Sequence, residues 1–321
     1  MHKKILIIGA GQLGSRHLQG ALLSLNALDI LVIDPSINSL NVSRERAAQV
    51  TTGNSNTRII YQCDMPSDLQ IDVCIISTSA QYRAQVTKQL LSRNTVKHII
   101  FEKVLFQTLS EYDEIDSLLN YSETKGWVNC PRRLFPTYVS IETQLDTSLP
   151  IDMYVKGNAW GMACNSIHFI DLFSFMIHQS DISVKSSQLV PEVIESKRPG
   201  FFETAGKLNF AAGKHSLVVE SGIEETPELV ISLSNGEVTY TINEIKGTWT
   251  EKVGDSFVEH PHRALYQSQL TGVCIDDILD TDSCKLTHYT ESCEIHTPFI
   301  TTLIEHMSMV LNKKLDVCPI T

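Results

Sequence analysis

The stretch that decides the fold is KKILIIGAGQLG, residues 3–14. Its first half, Lys3–Ile8, ends in a continuous apolar run, which predicts a short strand buried on both faces of a parallel sheet. The second half fits the glycine pattern G-x-G-x-x-G, and a predicted helix follows it. The apolar side of that helix recurs at helical spacing, in Leu18, Ala21, Leu22 and Leu25. Strand, glycine turn and helix together predict a Rossmann unit that binds a dinucleotide.

Each glycine of the pattern has a separate physical role. Gly9 permits the tight turn after the strand, Gly11 lets the backbone approach a pyrophosphate, and Gly14 lets the helix pack against the strand. Gln12 and Leu13 complete the turn, and the N-terminus of the helix stabilises negative charge. We therefore expect Gly9, Gly11, Gln12, Leu13 and Gly14 to bind the cofactor.

Asp34 indicates which dinucleotide is preferred. A second apolar strand, Ile30–Ile33, ends at Asp34, 20 residues after Gly14. An acid at this position binds the hydroxyls of the adenosine ribose and repels a 2′-phosphate. The following residues, Pro35 and Ser36, supply no cation. NAD is therefore the expected cofactor, and NADP is the less favoured alternative.

The alternation of strands and helices continues beyond Asp34. Ile71–Ser77 and His98–Phe101 are predicted strands, and Tyr82–Leu91 is the predicted helix between them. Ligands of such parallel sheets bind beyond the carboxyl ends of the strands. We therefore expect one crevice along the glycine turn, Asp34 and the residues that end the later strands, which are Ser77, Thr78, Ser79, Glu102 and Lys103.

The second half of the chain has a different pattern. We predict a Rossmann domain over residues 1–125, with Gly126 ending its last helix, and a substrate-binding and oligomerisation domain over 126–321. A helix over Asn165–Ile177 precedes a series of predicted strands at 207–210, 215–220, 228–234, 237–243 and 248–253. Asn235-Gly236 predicts a type I′ hairpin. The expected fold class is α/β: a doubly wound parallel sheet followed by an α+β domain with a large open antiparallel meander.

Composition excludes several classes of partner. The 321 residues carry a formal net charge of −11 and contain no stretch long and apolar enough for a membrane helix. Nucleic acids and membranes are therefore not expected as partners. The cysteines form no Cys-x-x-Cys motif; Cys293 and His296 share one helical turn, but no second pair of ligands is apparent, so no metal is expected. These features predict a cytoplasmic protein with reduced thiols.

The motifs resemble those of the glucose–fructose oxidoreductase and inositol dehydrogenase family, the Gfo/Idh/MocA group. The resemblance rests on the glycine turn through His17, on Glu102-Lys103 at a strand end, on residues 129–133 (NCPRR), and on residues 161–171 (GMACNSIHFID). It covers the Rossmann half well and the second half through the order of its elements. The chain departs from the family at Val104, where a proline is usual, and at Cys164, where an aspartate helps to hold the substrate and assists proton transfer.

The resemblance also implies roles for individual residues. Lys103 and His168 are the expected catalytic pair, with Lys103 exchanging a proton at the substrate oxygen. The alternatives are a surface Glu-Lys pair at a strand end and a core histidine satisfied by Asp171. We expect substrate contacts from Arg133, Trp160, Cys164, Asn165 and His168, although Arg132 leaves the register uncertain. His260 and His262 flank Pro261 in a predicted loop that could line a pocket.

The leading functional hypothesis is an NAD-dependent dehydrogenase or reductase that acts on a CH–OH group of a sugar, polyol or sugar-acid derivative, with surface-glycan synthesis as one setting that the resemblance implies. One alternative is a hydrolase or lyase that uses tightly held NAD for transient oxidation. Another is a binding protein that has lost catalysis, because Cys164 replaces the family aspartate. By analogy with the family, we expect a homodimer or homotetramer formed through the C-terminal sheet.

Overall fold

The computed structural model describes residues 2–196, 198–224 and 228–321. In chain order, the elements up to residue 129 are β1 (Lys3–Ile8), α1 (Gly14–Ala21), β2 (Leu28–Ile33), α2 (Ile37–Ala47), β3 (Arg58–Gln62), β4 (Gln70–Ile76), α3 (Ala80–Leu91), β5 (Thr95–Glu102), α4 (Leu109–Tyr121) and β6 (Lys125–Asn129). A 3₁₀ turn at Pro131–Leu134 follows.

The later elements are α5 (Pro136–Gln144), β7 (Asp152–Asn158), α6 (Met162–Ile177), β8 (Ser183–Leu189), β9 (Ile194–Glu195), β10 (Phe202–Glu203), β11 (Gly206–Ala212), β12 (His215–Gly222), β13 (Glu228–Ser234), β14 (Val238–Asn243), β15 (Thr248–Val253), β16 (Ser256–Pro261), α7 (Gln267–Thr281), β17 (Thr287–His288) and α8 (Tyr289–Val310). Among the helices of the described residues, none is both long and apolar enough to span a membrane.

The first sheet has the order β17-β6-β5-β4-β1-β2-β3. Strands β1 to β6 pair in parallel, and only the short β17 is antiparallel to its neighbour β6. The strand order reverses between β1 and β4, which is the point where dinucleotides bind in doubly wound sheets. The predicted Rossmann fold is confirmed.

The chain divides into two compact units that interleave along the sequence. Unit 1 comprises Met1–Phe106, Ser110–Pro131 and Leu265–Thr290, and unit 2 comprises Gln107–Leu109, Arg132–Ala264 and Glu291–Thr321. This grouping differs from a single division after residue 125. Strand β6 joins the first sheet as the parallel partner of β5, and α7 packs against α1 in unit 1.

Small residues allow the close approach of α1 and α7, which the sequence analysis did not predict. A Cβ on Gly20 would lie 2.8 Å from Thr271 Cβ, and one on Gly272 would lie 2.6 Å from the Gly20 carbonyl oxygen. Helix α1 ends at Ala21, so Leu25 does not extend its apolar side as expected; the Leu25 side chain is 77% exposed.

The helix before β6 also ends differently from the prediction. Helix α4 ends at Tyr121, and Glu123, with φ of 53°, adopts the left-handed conformation that was expected of Gly126. Gly126 instead lies within β6, where a Cβ would come within 2.7 Å of Tyr289 Cβ. Its role is to admit a buried tyrosine against the strand.

The second sheet has the order β16-β15-β14-β13-β7-β12-β11-β8. Its pairs are antiparallel except that β7 and β12 run in parallel. The mainly antiparallel sheet is confirmed, but the simple meander is wrong, because β7 enters from before α6 and separates β12 from β13. Strands β8 and β16 were not predicted, because they are edge strands whose side chains are mostly exposed and therefore lack a clear alternation.

The histidines near position 261 do not lie in an open loop. His260 belongs to β16, and its ring stacks on Trp249 with centroids 4.3 Å apart. His262 is buried, with Nδ1 lying 3.1 Å from Thr137 Oγ1. Their surroundings favour packing roles.

The hairpin at Asn235-Gly236 forms, but its turn is shifted by one residue. Asn235 N donates to Val238 O across 3.3 Å, so Gly236 and Glu237 are the central pair. Of this pair only Gly236 has a positive φ, 87°, whereas type I′ needs two. The Asn235 side chain accepts hydrogen bonds from the amides of Glu237 and Val238, which favours its position before the turn.

The core of unit 2 contains α6 and a long apolar stripe on α8. In this stripe Ile295, Phe299, Ile300, Leu303 and Met307 are buried, whereas Ile304 is half-buried. Unit 2 also contains a half-buried ionic cluster: Arg132 Nε and Nη2 donate to the two oxygens of Glu244 at 2.9 and 2.8 Å, and Tyr138 Oη donates to Oε1 at 2.8 Å. Burial opposes ionisation of Glu244, but the Arg132 charge and these hydrogen bonds outweigh it and lower the pKa of the carboxyl.

Glu244→Gln is expected to lower the free energy of unfolding by about 1.5–3 kcal/mol at neutral pH, the range for a hydrogen bond to a charged group. Because the pKa of Glu244 is lower in the folded state, its contribution is present above the unfolded-state pKa and is lost as pH falls through the folded-state value. In denaturant titrations, the free energies of unfolding of wild type and variant should therefore converge as the pH is lowered from neutral to acidic. Glu259 is exposed, so Glu259→Gln is the control variant. A difference in the free energy of unfolding between wild type and Glu244→Gln that stays constant at all pH values would contradict the assignment.

Candidate functional site

The glycine turn between β1 and α1 is very closely packed. Gly9 has a φ of +94°, and a Cβ there would lie 3.1 Å from the backbone carbon of Ser77. A Cβ on Gly14 would lie only 1.7 Å from the Gly9 carbonyl oxygen, whereas one on Gly11 would meet no atom within 4 Å. The turn therefore excludes side chains at its two ends and leaves the backbone at Gly11 facing open space.

Ser77 ties the glycine turn to the end of β4. Its Oγ lies 3.0 Å from the carbonyl oxygen of Ile8 and 2.8 Å from that of Gly9, and its amide donates to Ile8 O at 2.9 Å. Ser79 is the N-cap residue of α3 and has an extended backbone conformation. The residues that follow β1 and β4 thus lie together at one edge of the sheet, as the sequence predicts.

Asp34 lies at the carboxyl end of β2, where it also contacts the glycine turn. Its Oδ2 accepts a hydrogen bond of 2.7 Å from the amide of Ala10, and Oδ1 accepts one of 2.8 Å from the amide of Ser36. These contacts fix the carboxylate beside the turn. The binding of ribose hydroxyls by Asp34 stays a prediction.

Arg46 brings a positive charge to the turn that the sequence analysis missed. From the last turn of α2, its guanidinium donates to Gln12 Oε1 at 2.5 Å, to Ser15 Oγ at 2.6 Å and to Gln12 O at 3.1 Å. The expectation that no cation follows Asp34 holds for Pro35 and Ser36. Arg46 lies 12 residues after Asp34 in the chain. Helix α2 and the long arginine side chain bring its guanidinium back to the glycine turn.

Glu102, predicted to bind cofactor, is buried in a polar network. Its Oε1 lies 2.7 Å from His17 Nε2 and accepts a hydrogen bond of 2.5 Å from Asn129 Nδ2. His17 Nδ1 lies 2.9 Å from Thr271 Oγ1, and Asn129 Nδ2 also donates to Gln267 Oε1. The network joins α1, β5, β6 and α7, so the carboxylate anchors the strand end that carries Lys103.

Arg83 forms a second buried anchor at this edge of the sheet. Only 2% exposed, it donates to Thr78 O at 2.5 Å, to Leu105 O at 2.7 Å and to Val104 O. Burial lowers the pKa of this guanidinium to about 10, with the nearby Glu102 charge acting in the opposite direction. Arg83 thereby connects the residues after β4 with those after β5. No local sequence pattern indicates this role, because one arginine in a helix resembles a solvated residue.

Lys103 directly follows β5 and is half-buried. Val104 stands where the family has proline, and the peptide bond between Lys103 and Val104 is nonetheless cis. The main chain on both sides of Lys103 is anchored, through Glu102 on one side and through the Val104 and Leu105 carbonyls on the other. The predicted catalytic lysine therefore lies on a rigid part of unit 1.

In unit 2, the predicted substrate residues lie on or beside α6. Asn165 Nδ2 donates to Trp160 O at 2.7 Å, and Trp160 Nε1 donates to Glu220 O at 3.1 Å. The Trp160 ring meets Phe169 edge-on, with centroids 5.4 Å apart. Asn165 and His168 are half-buried, whereas Cys164 is buried.

The two arginines after β6 each pair with a carboxylate of unit 2. Arg133 Nε and Nη2 each lie 3.0 Å from an oxygen of Asp171, and both side chains are buried. Arg132 pairs with Glu244 and stacks over Phe169 at 4.3 Å. These contacts favour packing roles for both arginines, and the predicted substrate contact of Arg133 stays a prediction.

The sheet order and the glycine turn define a Rossmann-type dinucleotide-binding protein. Residues 3–129 match the sequence family described as the oxidoreductase family with an NAD-binding Rossmann fold, Gfo/Idh/MocA. The resemblance predicted from the motifs is confirmed over this segment, which matches a family of NAD(P)-binding oxidoreductases. No curated protein matches the chain by sequence.

Solved structures with the same fold cover nearly the whole chain. UDP-N-acetylglucosamine 3-dehydrogenase GnnA from Acidithiobacillus ferrooxidans shares 12% identity, with a TM-score of 0.67 over 94% of this chain and 96% of that one. A dehydrogenase (MviM) from Clostridium difficile shares 12% sequence identity, with a TM-score of 0.70 over 95% of this chain and 99% of that one. Biliverdin reductase from Synechocystis, in complex with biliverdin and NADP+, shares 12% sequence identity, with a TM-score of 0.69 over 93% of this chain and 98% of that one. At these identities the likeness shows the fold alone.

Gly11 and Gly14 allow binding and folding to be tested separately. Gly11→Ala should leave thermal stability unchanged, because its Cβ meets open space, yet weaken NAD binding at least about tenfold, or 1.4 kcal/mol, by blocking the approach of a pyrophosphate. Gly14→Ala should destabilise the protein by about 1–3 kcal/mol or more. Thermal unfolding and calorimetric NAD titration would check both. Undiminished NAD binding by Gly11→Ala would contradict the assignment of the turn.

Proposed function

We propose that this protein is a dehydrogenase or reductase that moves a hydride to or from a hydroxyl or carbonyl carbon of a sugar, polyol or sugar-acid derivative, with NAD preferred to NADP. The observation that carries the proposal is the glycine turn packed beside Asp34 at the point where the strand order reverses. That arrangement suits a dinucleotide, and Lys103 follows a strand of the same sheet.

The residues of unit 1 fit such a cofactor. The open backbone at Gly11 and the N-terminus of α1 would hold the pyrophosphate, and Asp34 would accept hydrogen bonds from the ribose hydroxyls. The residues after β4, Ser77–Ser79, would line the same edge. When bound, a nicotinamide ring supplies the acceptor or donor of the hydride.

The protein's own residues would manage the proton. Oxidation of an alcohol breaks a C–H bond, whose hydride leaves with both electrons, and an O–H bond, whose proton must be taken up by a base. We assign that exchange to Lys103, whose main chain is anchored on both sides. His168, half-buried on α6, would bind the substrate oxygen or serve as a second base.

The substrate class is supported by similarity. One protein of the same fold is named as a dehydrogenase of UDP-N-acetylglucosamine, and another as a 3-ketoreductase, from Actinomadura kijaniata, in complex with TDP-benzene and NADP. The sugar ring of UDP-N-acetylglucosamine carries hydroxyl groups that can be oxidised. The proposal extends this chemistry to the present chain.

Cofactor preference is tested by comparing NAD and NADP affinity in wild type and Asp34→Ser. Wild type should bind NAD more tightly, because the Asp34 carboxylate repels a 2′-phosphate. In the variant, the ratio of NAD affinity to NADP affinity should fall by about tenfold, or 1.4 kcal/mol. Equal wild-type affinities would contradict NAD preference, and the additional variant Arg46→Met would show whether Arg46 supports NADP.

Turnover is tested by NADH absorbance with myo-inositol, D-glucose, D-glucuronate and UDP-N-acetyl-D-glucosamine as probes. Lys103→Ala should lower kcat/KM about 10²–10⁴-fold, the usual contribution of acid–base catalysis, while NAD still binds. Lys97→Ala, an exposed lysine on the same strand, is the matched control. Undiminished turnover by Lys103→Ala would remove the lysine from the mechanism.

Other outcomes would favour the alternatives. Product formation without net NADH would indicate transient oxidation with NAD retained. Tight NAD binding with no turnover, even after Cys164→Asp, would favour a binding protein. A homodimer or homotetramer through the second sheet and a cytoplasmic location stay predictions.

A further inference from the structure

The first two turns of α6 combine an apolar interior with one accessible polar side. Most of the helix is buried, whereas Gly161, Asn165 and His168 are half-buried. Their spacing places these three on one side of the helix, because residues three and four apart are neighbours on its surface. This side is the least buried part of the first two turns of α6.

Glu203 closes the N-terminal end of that side. It lies on the two-residue strand β10, which pairs with β9, and its Oε2 accepts a hydrogen bond of 2.8 Å from the amide of Ala163. The preceding Phe202 is fixed by its amide, which donates to Pro319 O at 2.9 Å. The carboxylate is therefore held at a defined position beside α6.

The second carboxylate oxygen lies beside Asn165. Gly161 has a φ of +73°, and a Cβ there would lie 3.3 Å from Glu203 Oε1 and 3.0 Å from Asn165 Nδ2. The carboxylate and the amide thus flank one glycine, and the main chain has no side chain between them. A charged acceptor and a polar amide are brought together on the accessible side, one turn before His168.

We propose that Glu203 is a substrate-binding residue that accepts hydrogen bonds from hydroxyl groups of a polyhydroxylated substrate. This inference rests on the proposed function and names the recognition group within it. An ionised carboxylate is acceptor-only and can take two hydroxyl donors, whereas the buried thiol of Cys164 in the same turn is a weak acceptor. Asn165 and His168 add donor and acceptor groups along the same side.

Glu203 could instead serve only to cap α6, and Glu203→Gln separates the two roles. The glutamine keeps an oxygen that can accept the Ala163 amide, so the cap is retained, but it removes the charge that strengthens hydrogen bonds from substrate hydroxyls. Glu195, exposed on the opposite strand and paired with Phe202, gives the matched control Glu195→Gln.

The experiment measures kinetics with whichever of the four probes wild type oxidises fastest. Glu203→Gln should raise KM for that probe about 10- to 100-fold, as expected for a charged hydrogen bond, with NAD affinity and Tm unchanged. Glu195→Gln should match wild type. We also expect one monodeoxy analogue of the probe, lacking the hydroxyl that Glu203 binds, to have a higher KM than the probe itself with wild type. With Glu203→Gln, the KM values of this analogue and of the probe should be similar.

Two outcomes would overturn the inference while the proposed function stands: an unchanged KM, or a parallel loss of Tm, NAD affinity and activity on every analogue. If wild type oxidises none of the probes, the proposed function fails, and calorimetry of the same probes with the NAD-loaded protein decides the inference. Binding that Glu203→Gln weakens would support it. No binding by wild type would overturn it.

Discussion

The first unit depends on the absence of a side chain where α1 meets β1. With a Cβ at Gly14 placed 1.7 Å from the Gly9 carbonyl oxygen, the helix could not start where it does. This contact sets the position of the helix N-terminus and of the open backbone at Gly11. The contacts of Ser77 and Asp34 with the same turn then follow from the parallel order of β4, β1 and β2.

Buried charges fix the strand ends that surround the glycine turn. Glu102 is held by His17 and Asn129, and Arg83 donates to main-chain carbonyls on both sides of the β4–β5 crossover. A buried charge is costly unless its hydrogen bonds are satisfied, so each of these groups is sensitive to the exact position of its partners. Lys103 takes its position from both, which gives a proposed acid–base group the rigidity that proton transfer requires.

The second unit uses the same principle around a helix. Asp171 pairs with Arg133 and Glu244 with Arg132, so two carboxylates of this unit are satisfied by the arginines that follow β6. Of these arginines, the family resemblance implied a substrate contact for Arg133. What remains accessible on α6 is a short polar side at Asn165 and His168, with Glu203 beside it. The chemistry proposed for this unit is therefore concentrated at the N-terminal end of one helix.

The sequence by itself determined the Rossmann unit, because its signals are local: an apolar strand, a glycine turn, a helix and an acid at fixed spacing. It also predicted the central strands of the second sheet, whose buried and exposed residues alternate. Only the tertiary structure decided which residues meet across long separations. Several contacts join segments that no local sequence pattern connects. They are the contacts of Arg46 with Gln12, Arg83 with Val104, His17 with Glu102, α7 with α1, and Glu203 with Ala163. The physical reason is that spacing encodes the period of a helix or strand, whereas the partner of a buried charge depends on how these elements pack.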